Sequence, residues 1–416
     1  MSIAAMPNTA QDLHQGVASC ASSLCHGATK PLGEHPIRQD EYFVWQRQDS
    51  HARAYQTLYS PASRKIGQAL GINAETAPAC LSCHSDAPIA SARGARYQLS
   101  DGIGCENCHG GSERWLAEHA RPGITLEQKV ALGMKPTWQR ETRAALCLSC
   151  HQGDAQRSIT HAMMAAGHPR LVFELDTFTA LEPPHHNRDA DYAARKGAYQ
   201  PARDWITGQT QAAELHLQAL ADGRFMKGLM PEWTEFDCTA CHHSMDAGRW
   251  QPERMPGAEP GAVPFADAPQ QLLGLWLTVM APPEALAWLE GQRRLHVAQG
   301  QGVDAVRAAA QQQLVLLRTG LRPLIAGESM NPAQLRGLLR ALVTDGPHRQ
   351  APLSGEQRAM ALTVISDALH LQGASVPLAA RRAIESYYKA VRKIDRFDVK
   401  EHARALDAVA RTLPAG

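Results

Sequence analysis

The stretch Cys147-Leu-Ser-Cys150-His151-Gln-Gly-Asp-Ala-Gln-Arg-Ser-Ile-Thr-His161-Ala-Met-Met-Ala-Ala-Gly-His168-Pro169 contains the pattern around which the chain is built. It opens with Cys-x-x-Cys-His, in which the two cysteine sulfurs can bond the vinyl groups of a haem. The next side chain, His151, can then bind the haem iron. His161 and His168 follow closely and carry imidazoles of the kind that bind irons from the opposite side. The rest of the chain repeats this arrangement.

The cysteines indicate the class of protein. The 416 residues include ten cysteines, and all of them fall into pairs: Cys20/Cys25, Cys80/Cys83, Cys105/Cys108, Cys147/Cys150 and Cys238/Cys241. A histidine directly follows every second cysteine: His26, His84, His109, His151 and His242. A disulfide framework needs no such histidine, and zinc ribbons usually use two cysteine pairs for one metal. The pattern predicts five covalently bound haems c, with these five histidines as iron ligands.

The second iron ligands are harder to identify, because any imidazole close in space can serve. Of the 19 histidines, 14 do not follow a cysteine pair, and they are concentrated in the cysteine-containing half. This excess favours irons bound by two histidines, which suit electron transfer. The leading candidates are His51, His119, His161 and His168. For a fifth iron the candidates are His35, His185, His186 and His243.

Two further groups of residues receive a different interpretation. Methionine ligation is the alternative at Met163, Met164 and Met245, although core packing is favoured for them. The remaining histidines considered are expected to be solvated helix residues: His216, His296, His348, His370 and His402.

The composition predicts two domains joined by a linker. Residues 1–19 form a polar tail, 20–245 the haem domain, 246–266 a linker rich in proline and glycine, and 267–416 a helical bundle. Helices are expected at Asp40–Tyr59, Ser112–His119, Thr125–Leu132 and Trp205–Ala221, and no region favours strands. In the bundle, Asn331 with Pro332 predicts a helix start, and Ser354 with Gln357 fits a capping box.

Several motifs resemble the cytochrome c554 and c-prime family of multihaem cytochromes. They are Gly104-Cys-Glu-Asn-Cys-His-Gly110, Ala166-Gly-His-Pro169 followed by Leu171-Val-Phe-Glu-Leu175, and Phe236-Asp-Cys-Thr-Ala-Cys-His-His243. The resemblance covers about residues 20–245 and implies that the four leading histidines are the second ligands. The fold expected is mainly α, a multihaem cytochrome c domain with little regular structure plus a C-terminal helical bundle. The bundle resembles the haem-free helical region of larger oxidoreductases, which implies a homo-oligomer.

The function predicted is electron transfer through closely packed haems in a respiratory chain. Redox partner proteins, such as a quinol dehydrogenase or another cytochrome, are expected, and the formal net charge of +1 gives no reason to expect a nucleic acid. The alternative is an oxidoreductase acting on nitrite, hydroxylamine, nitric oxide or tetrathionate at one five-coordinate haem. A third possibility is a structural conduit of stacked haem proteins.

The location expected is periplasmic or extracellular, because haem c is attached covalently outside the cytoplasm. Residues 1–19 lack the basic and apolar regions of a signal peptide, so the sequence is interpreted as a mature or trimmed form. No apolar run has the length that a membrane span needs, and a soluble chain is expected.

Overall fold

The computed structural model describes residues 12–31, 33, 37–242, 257–259, 261–344, 352–392 and 398–413. The predicted mainly α class is confirmed, since helices dominate these residues. Strand is confined, within the described part, to a small antiparallel hairpin of β1 (Met226–Lys227) and β2 (Met230–Pro231). Among the helices that are described, none has the length and apolar character needed to cross a membrane.

The first half of the chain is built from short helices joined by turns. In chain order they are α1 (Glu41–Gln48), α2 (Ala54–Thr57), α3 (Pro61–Leu70), α4 (Pro78–His84), α5 (Cys105–His109), α6 (Leu126–Ala131), α7 (Arg140–His151), α8 (His161–Ala165), α9 (Leu175–Leu181) and α10 (Ala190–Lys196). Capping residues mark where some of these helices begin and end. The hydroxyl of Ser60 accepts the N–H of Ser63 at 3.1 Å to start α3, and Gly71, with φ of 67°, ends it.

Two of the predicted helices are wrong in extent. The helix predicted at Asp40–Tyr59 is interrupted at Asp49, where the backbone is extended and the carboxylate accepts the N–H of His51 at 2.9 Å. A side chain that bonds to the backbone in this way competes with the helix. The segment Ser112–His119 forms turns, with a short 3₁₀ helix only at Glu118–Ala120.

The long helix α11 (Pro201–Ala221) connects the two halves of the molecule. It packs against α7 and α9 on one side and against the helices of the second half on the other. Residues around most of its circumference are therefore buried, including the polar Thr207, Gln209 and Thr210. The sequence predicted an amphipathic helix here, whereas the structure has one with little exposed face.

The second half is a set of longer helices in which successive helices pack together. They are α12 (Ala268–Met280), α13 (Pro282–Ala298), α14 (Val303–Val315), α15 (Arg322–Gly327), α16 (Pro332–Thr344), α17 (Pro352–Leu371), α18 (Leu378–Val391) and α19 (Val399–Thr412), with a π-helical segment at Leu316–Leu321. Asn331 and Gln334 bond reciprocally through side chain and backbone at the start of α16. Ser354, expected to cap a helix, lies inside α17, and its hydroxyl bonds to Gln271.

One continuous apolar core runs through α11 and the helices of the second half, and it includes Trp205, Trp276, Trp288 and Tyr387. A second, small apolar cluster of Ala144, Leu148, Leu175 and Ala212 joins α11 to described residues that precede it. Most of the predicted linker lies outside the described residues, and the proposed domain boundaries stay a prediction. Because α11 shares its core with the helices of the second half, a domain boundary placed after α11 would divide that core.

Candidate haem sites

We number the five cysteine pairs and their histidines sites 1 to 5 in chain order. At sites 2, 3 and 4 each pair lies in or at the end of a helix, and the histidine is its last residue: α4 ends at His84, α5 at His109 and α7 at His151. Positions i, i+3 and i+4 share one face of a helix. The two sulfurs and the imidazole of each motif are therefore presented on the same side.

Site 1 has two additional residues between its cysteines, and they form an outward loop. The N–H of His26 donates to the carbonyl of Cys20 at 3.2 Å. The equivalent bond at site 5 joins His242 to the carbonyl of Cys238 at 2.8 Å. Leu24, within the extra loop, is exposed. The insertion therefore leaves the first cysteine and the histidine as close along the backbone as in the shorter motif.

The second cysteines of sites 1 and 5 differ in exposure from the other motif cysteines. Cys25 and Cys241 are exposed, whereas the other motif cysteines are buried or half-buried. The insertion at site 1 places Cys25 at the end of the outward loop, and the 3₁₀ helix Cys238–Ala240 at site 5 ends just before Cys241. Neither thiol therefore lies on a helix face that the fold covers, and bonding of these two sulfurs to haem stays a prediction.

Four motif histidines each face one of the four free histidines predicted as second ligands. The ring centroids are 6.1 Å apart for His26 and His119, 6.0 Å for His151 and His51, 6.3 Å for His84 and His168, and 6.2 Å for His242 and His161. A metal held between two imidazoles, with bonds of about 2.0–2.1 Å to each nitrogen and each centroid about 1 Å further, separates the centroids by about 6 Å. The side chains at sites 1, 2, 4 and 5 thus fit an iron with two histidine ligands.

The hydrogen bonds of these rings leave one nitrogen for a metal. The Nδ1 atom of His84 lies 3.0 Å from the carbonyl of Ala54, that of His119 lies 2.7 Å from that of Leu116, and that of His168 lies 2.8 Å from that of Pro169. A ring whose Nδ1–H donates to a carbonyl keeps the lone pair on Nε2. These three rings are therefore oriented as metal-binding histidines usually are.

Carboxylates take the place of carbonyls at two other rings. Glu41 Oε2 lies 3.0 Å from Nδ1 of His26, and Asp49 Oδ1 lies 3.0 Å from Nδ1 of His51. Each of these hydrogen bonds raises the pKa of its histidine. Glu182 adds a second carboxylate beside His51, with ligand atoms of Asp49, His51 and Glu182 within 4.8 Å of one another.

At site 3, burial lowers the pKa of His109 to about 4, and electrostatic interactions with nearby side chains, first among them His185, act in the same direction. His109 is therefore neutral near pH 7 and has a lone pair available for a metal. His185 is the free histidine that has the strongest interaction with it, and its Nδ1 lies 3.3 Å from the carbonyl of Pro183. Burial likewise lowers the pKa of His151 at site 4 to about 4.

Contacts between cysteines indicate which sites are neighbours. The thiol of Cys20 at site 1 interacts with that of Cys105 at site 3, and the thiol of Cys83 at site 2 interacts with that of Cys150 at site 4. Burial, followed by the nearby Cys147 at site 4, raises the pKa of Cys108 at site 3 to about 12. The sites therefore follow one another in the order 1, 3, 4, 2.

Site 5 adjoins site 4 across a cavity of about 200 Å³. Its walls include His151 of site 4 and Cys238 of site 5, together with the aromatic rings of Phe173 and Phe236. Phe173 also stacks on His151, with ring centroids 4.8 Å apart. The cavity thus connects the surroundings of the two sites.

The structure places the remaining candidate ligands, and the histidines predicted to be solvated, in different surroundings. His35, His243, Met245 and His348 lie outside the described residues. His186 stacks on Tyr192, with ring centroids 4.9 Å apart. The expectation of solvated histidines is confirmed for His370. It is wrong for three histidines that are buried among helices, namely His216, His296 and His402. The first two have polar partners, since His216 bonds to Gln270 at 2.6 Å and His296 to Asp267 at 3.0 Å.

Sequence reasoning missed the residues that orient the rings, above all Glu41 and Asp49. Asp49 stands two positions before His51, and such a spacing suits a short-range hydrogen bond, so a signal was present. Glu41 is 15 positions from His26, and only the fold brings it close. His14 was also overlooked, and its Nδ1 lies 2.7 Å from a carboxylate oxygen of Asp86.

Residues 19–110, which contain sites 1 to 3, match the model of the family described as cytochrome c554 and c-prime. No curated protein and no solved structure matches the chain. Cytochromes c bind their haem covalently and use it to transfer electrons, and the donor atoms described above fit that cofactor. The predicted resemblance to this family of haem c-binding, electron-transfer proteins is therefore confirmed over residues 19–110.

Proposed function

We propose that the chain binds five haems c, one at each cysteine pair, and transfers electrons between partner proteins through them. The observation that carries this proposal is the set of four histidine pairs. Each pair joins one motif histidine with one free histidine at ring-centroid distances of 6.0–6.3 Å. Covalent haem attachment outside the cytoplasm supports a periplasmic or extracellular location.

The proposed ligand pairs are His26 with His119, His84 with His168, His151 with His51, and His242 with His161. At site 3 we propose His109 with His185, because His185 is the free histidine with the strongest electrostatic interaction with His109. Bound haem iron supplies one-electron chemistry by alternating between ferric and ferrous states. Two imidazoles of the chain would hold each iron, which would leave no ligand position for a substrate and would suit electron transfer.

The arrangement of the sites supports transfer through the chain. Electrostatic interactions between thiols link sites 1, 3, 4 and 2 in succession, and site 5 lies beside site 4 across the shared cavity. An electron that enters at one end therefore has neighbouring sites along its whole route. A quinol dehydrogenase or another cytochrome is the proposed kind of partner.

Haem quantification combined with low-temperature electron paramagnetic resonance of the oxidised protein tests the proposal. Five haems per chain, all low-spin, are expected. His168→Ala should convert one haem to a high-spin form, whereas His370→Ala, a matched change at an exposed histidine, should leave the spectrum as it is.

Fewer than five haems would contradict the proposed count. One full equivalent of high-spin haem in the unaltered protein would contradict complete histidine ligation. Such a protein would have an open iron position, and the alternative of an oxidoreductase for a small nitrogen or sulfur compound would then be tested with nitrite, hydroxylamine, nitric oxide and tetrathionate. His185→Ala distinguishes the assignment at site 3, since it should add one high-spin haem.

A further inference from the structure

The proposed iron ligands whose Nδ1 has a described hydrogen-bond acceptor fall into two classes, according to whether that acceptor is a carbonyl or a carboxylate. At site 2 both acceptors are backbone carbonyls, those of Ala54 and Pro169. At site 1 the motif histidine His26 bonds to the carboxylate of Glu41, and at site 4 the free histidine His51 bonds to that of Asp49. Sites 1 and 4 thus have an anionic acceptor that site 2 lacks.

These carboxylates are held in place by other bonds, and Glu41 is half-buried. The second oxygen of Glu41 accepts the N–H of Arg38 at 3.1 Å, and the oxygen of Asp49 that faces His51 also accepts the N–H of that residue at 2.9 Å. The guanidinium of Arg38 bonds to Asp40. Asp49 is buried. A charge in such surroundings acts more strongly than one in water.

A carboxylate that accepts a hydrogen bond from Nδ1–H draws the proton away from the ring and makes Nε2 a stronger electron donor. A more strongly donating ligand stabilises ferric iron relative to ferrous iron, and hydrogen bonding around a haem is one of the means by which a protein sets its potential. A neutral carbonyl has a weaker effect, because it contributes a dipole and no net charge.

We propose that Glu41 and Asp49 are positioning residues that lower the reduction potentials of the haems at sites 1 and 4 below that of the haem at site 2. This inference rests on the proposed function, since it requires His26 and His51 to be iron ligands. Glu182, close to both Asp49 and His51, adds to the effect at site 4. In the order 1, 3, 4, 2, the two sites with a carboxylate, sites 1 and 4, are separated by site 3. Site 3 has no such hydrogen bond among the described residues.

The test replaces each carboxylate by its amide in the haem-loaded protein. In Glu41→Gln and in Asp49→Asn, one of the five potentials should rise in a spectroscopic redox titration. At a fixed applied potential the ferrous-to-ferric ratio of that haem should increase about tenfold, which is about 59 mV for one electron. Glu127→Gln, the same change at an exposed residue of α6, should leave all five potentials unchanged.

Electron paramagnetic resonance of the same samples separates the two ways in which the inference can fail. If all haems stay low-spin and every potential of both amide variants equals that of the unaltered protein, the carboxylates do not tune the haems, although the ligand assignment stands. If the unaltered protein has high-spin haem, and His26 or His51 can be replaced without changing the spectrum, the ligand assignment itself is wrong.

A second measurement covers the case in which the amide variants do not mature. His51→Ala should remove the low-spin signal of site 4 and, with it, the potential of the haem at that site. His168→Ala, its match at site 2, should remove a higher potential. The reverse order would overturn the inference.

Discussion

Leu217 offers a direct measurement of how far the core centred on α11 unfolds as a unit. Its side chain is fully buried in the continuous core. Leu217→Ala removes buried methyl and methylene groups and leaves a cavity, and comparable substitutions cost about 3–5 kcal/mol of the free energy of unfolding. We take about 3 kcal/mol, because Ala has the higher helix propensity and offsets a little of the loss.

The resulting change in melting temperature depends on the size of the unfolding unit. Unfolding entropy is about 2.1 cal/mol/K per residue, so a unit of residues 201–413 has about 0.45 kcal/mol/K and its melting temperature falls by about 7 °C. If all 416 residues unfold together, the same loss lowers it by about 3 °C. We expect the larger value, because the continuous core consists of α11 and residues that follow it.

Far-ultraviolet circular dichroism during heating of the haem-loaded protein provides the measurement. Leu286→Ala is the matched control, since it makes the same chemical change in α13 at a side chain that is 72% exposed. The control should change stability by less than about 0.5 kcal/mol. Equal melting temperatures for the two variants would refute the assignment of α11 to the core.

Three further predictions concern α9 and the packing of the second half. Burial raises the pKa of Asp176 from an ordinary 3.8 to about 7, although the hydrogen bond from the Tyr199 hydroxyl acts in the opposite direction. Between pH 4 and pH 7 the folded protein therefore keeps a proton on Asp176 that the unfolded chain releases. Its free energy of unfolding should fall as pH rises from 4 to 7, by at most about 1.4 kcal/mol per pH unit from this group, and urea titrations of Asp176→Asn should lack that contribution. Gly291→Ala should destabilise the protein by about 1–3 kcal/mol in the same assay, because the added methyl would overlap the buried amide of Gln313. Gly337→Ala, where the methyl meets Val279 at an ordinary 3.4 Å, should instead stabilise α16 by about 0.5–1 kcal/mol.

The motif histidines were predictable because covalent attachment imposes a short local pattern that needs no knowledge of the fold. The leading second-ligand candidates could be recognised by type, but their pairing could not. His26 faces His119 and His51 faces His151 only because the chain between them folds back. Sequence spacing contains no information about such contacts between distant segments.

Errors in the helix predictions have a similar origin in interactions that periodicity does not report. The apolar pattern of Asp40–Tyr59 is continuous, yet the carboxylate of Asp49 bonds to the backbone and ends the first helical segment. His216 and His296 were predicted to be solvated, yet both are buried. Their polar partners, Gln270 and Asp267, belong to α12 or to the residue that precedes it, so the sequence around each histidine does not reveal them. In each case a specific hydrogen bond had more influence on the local structure than the spacing of apolar residues around it.

The distances along the chain between paired histidines have a consequence for stability. The members of the four pairs are 93, 100, 84 and 81 positions apart. An iron bound by both members would act as a cross-link, and closing a loop of about 100 residues restricts the unfolded chain by about 4.7 kcal/mol in the chain-entropy treatment used for disulfides. The loops overlap, so these contributions do not simply add. A half with short helices and a small apolar cluster can in this way be held together by its cofactors, with most of the benefit arising in the unfolded state.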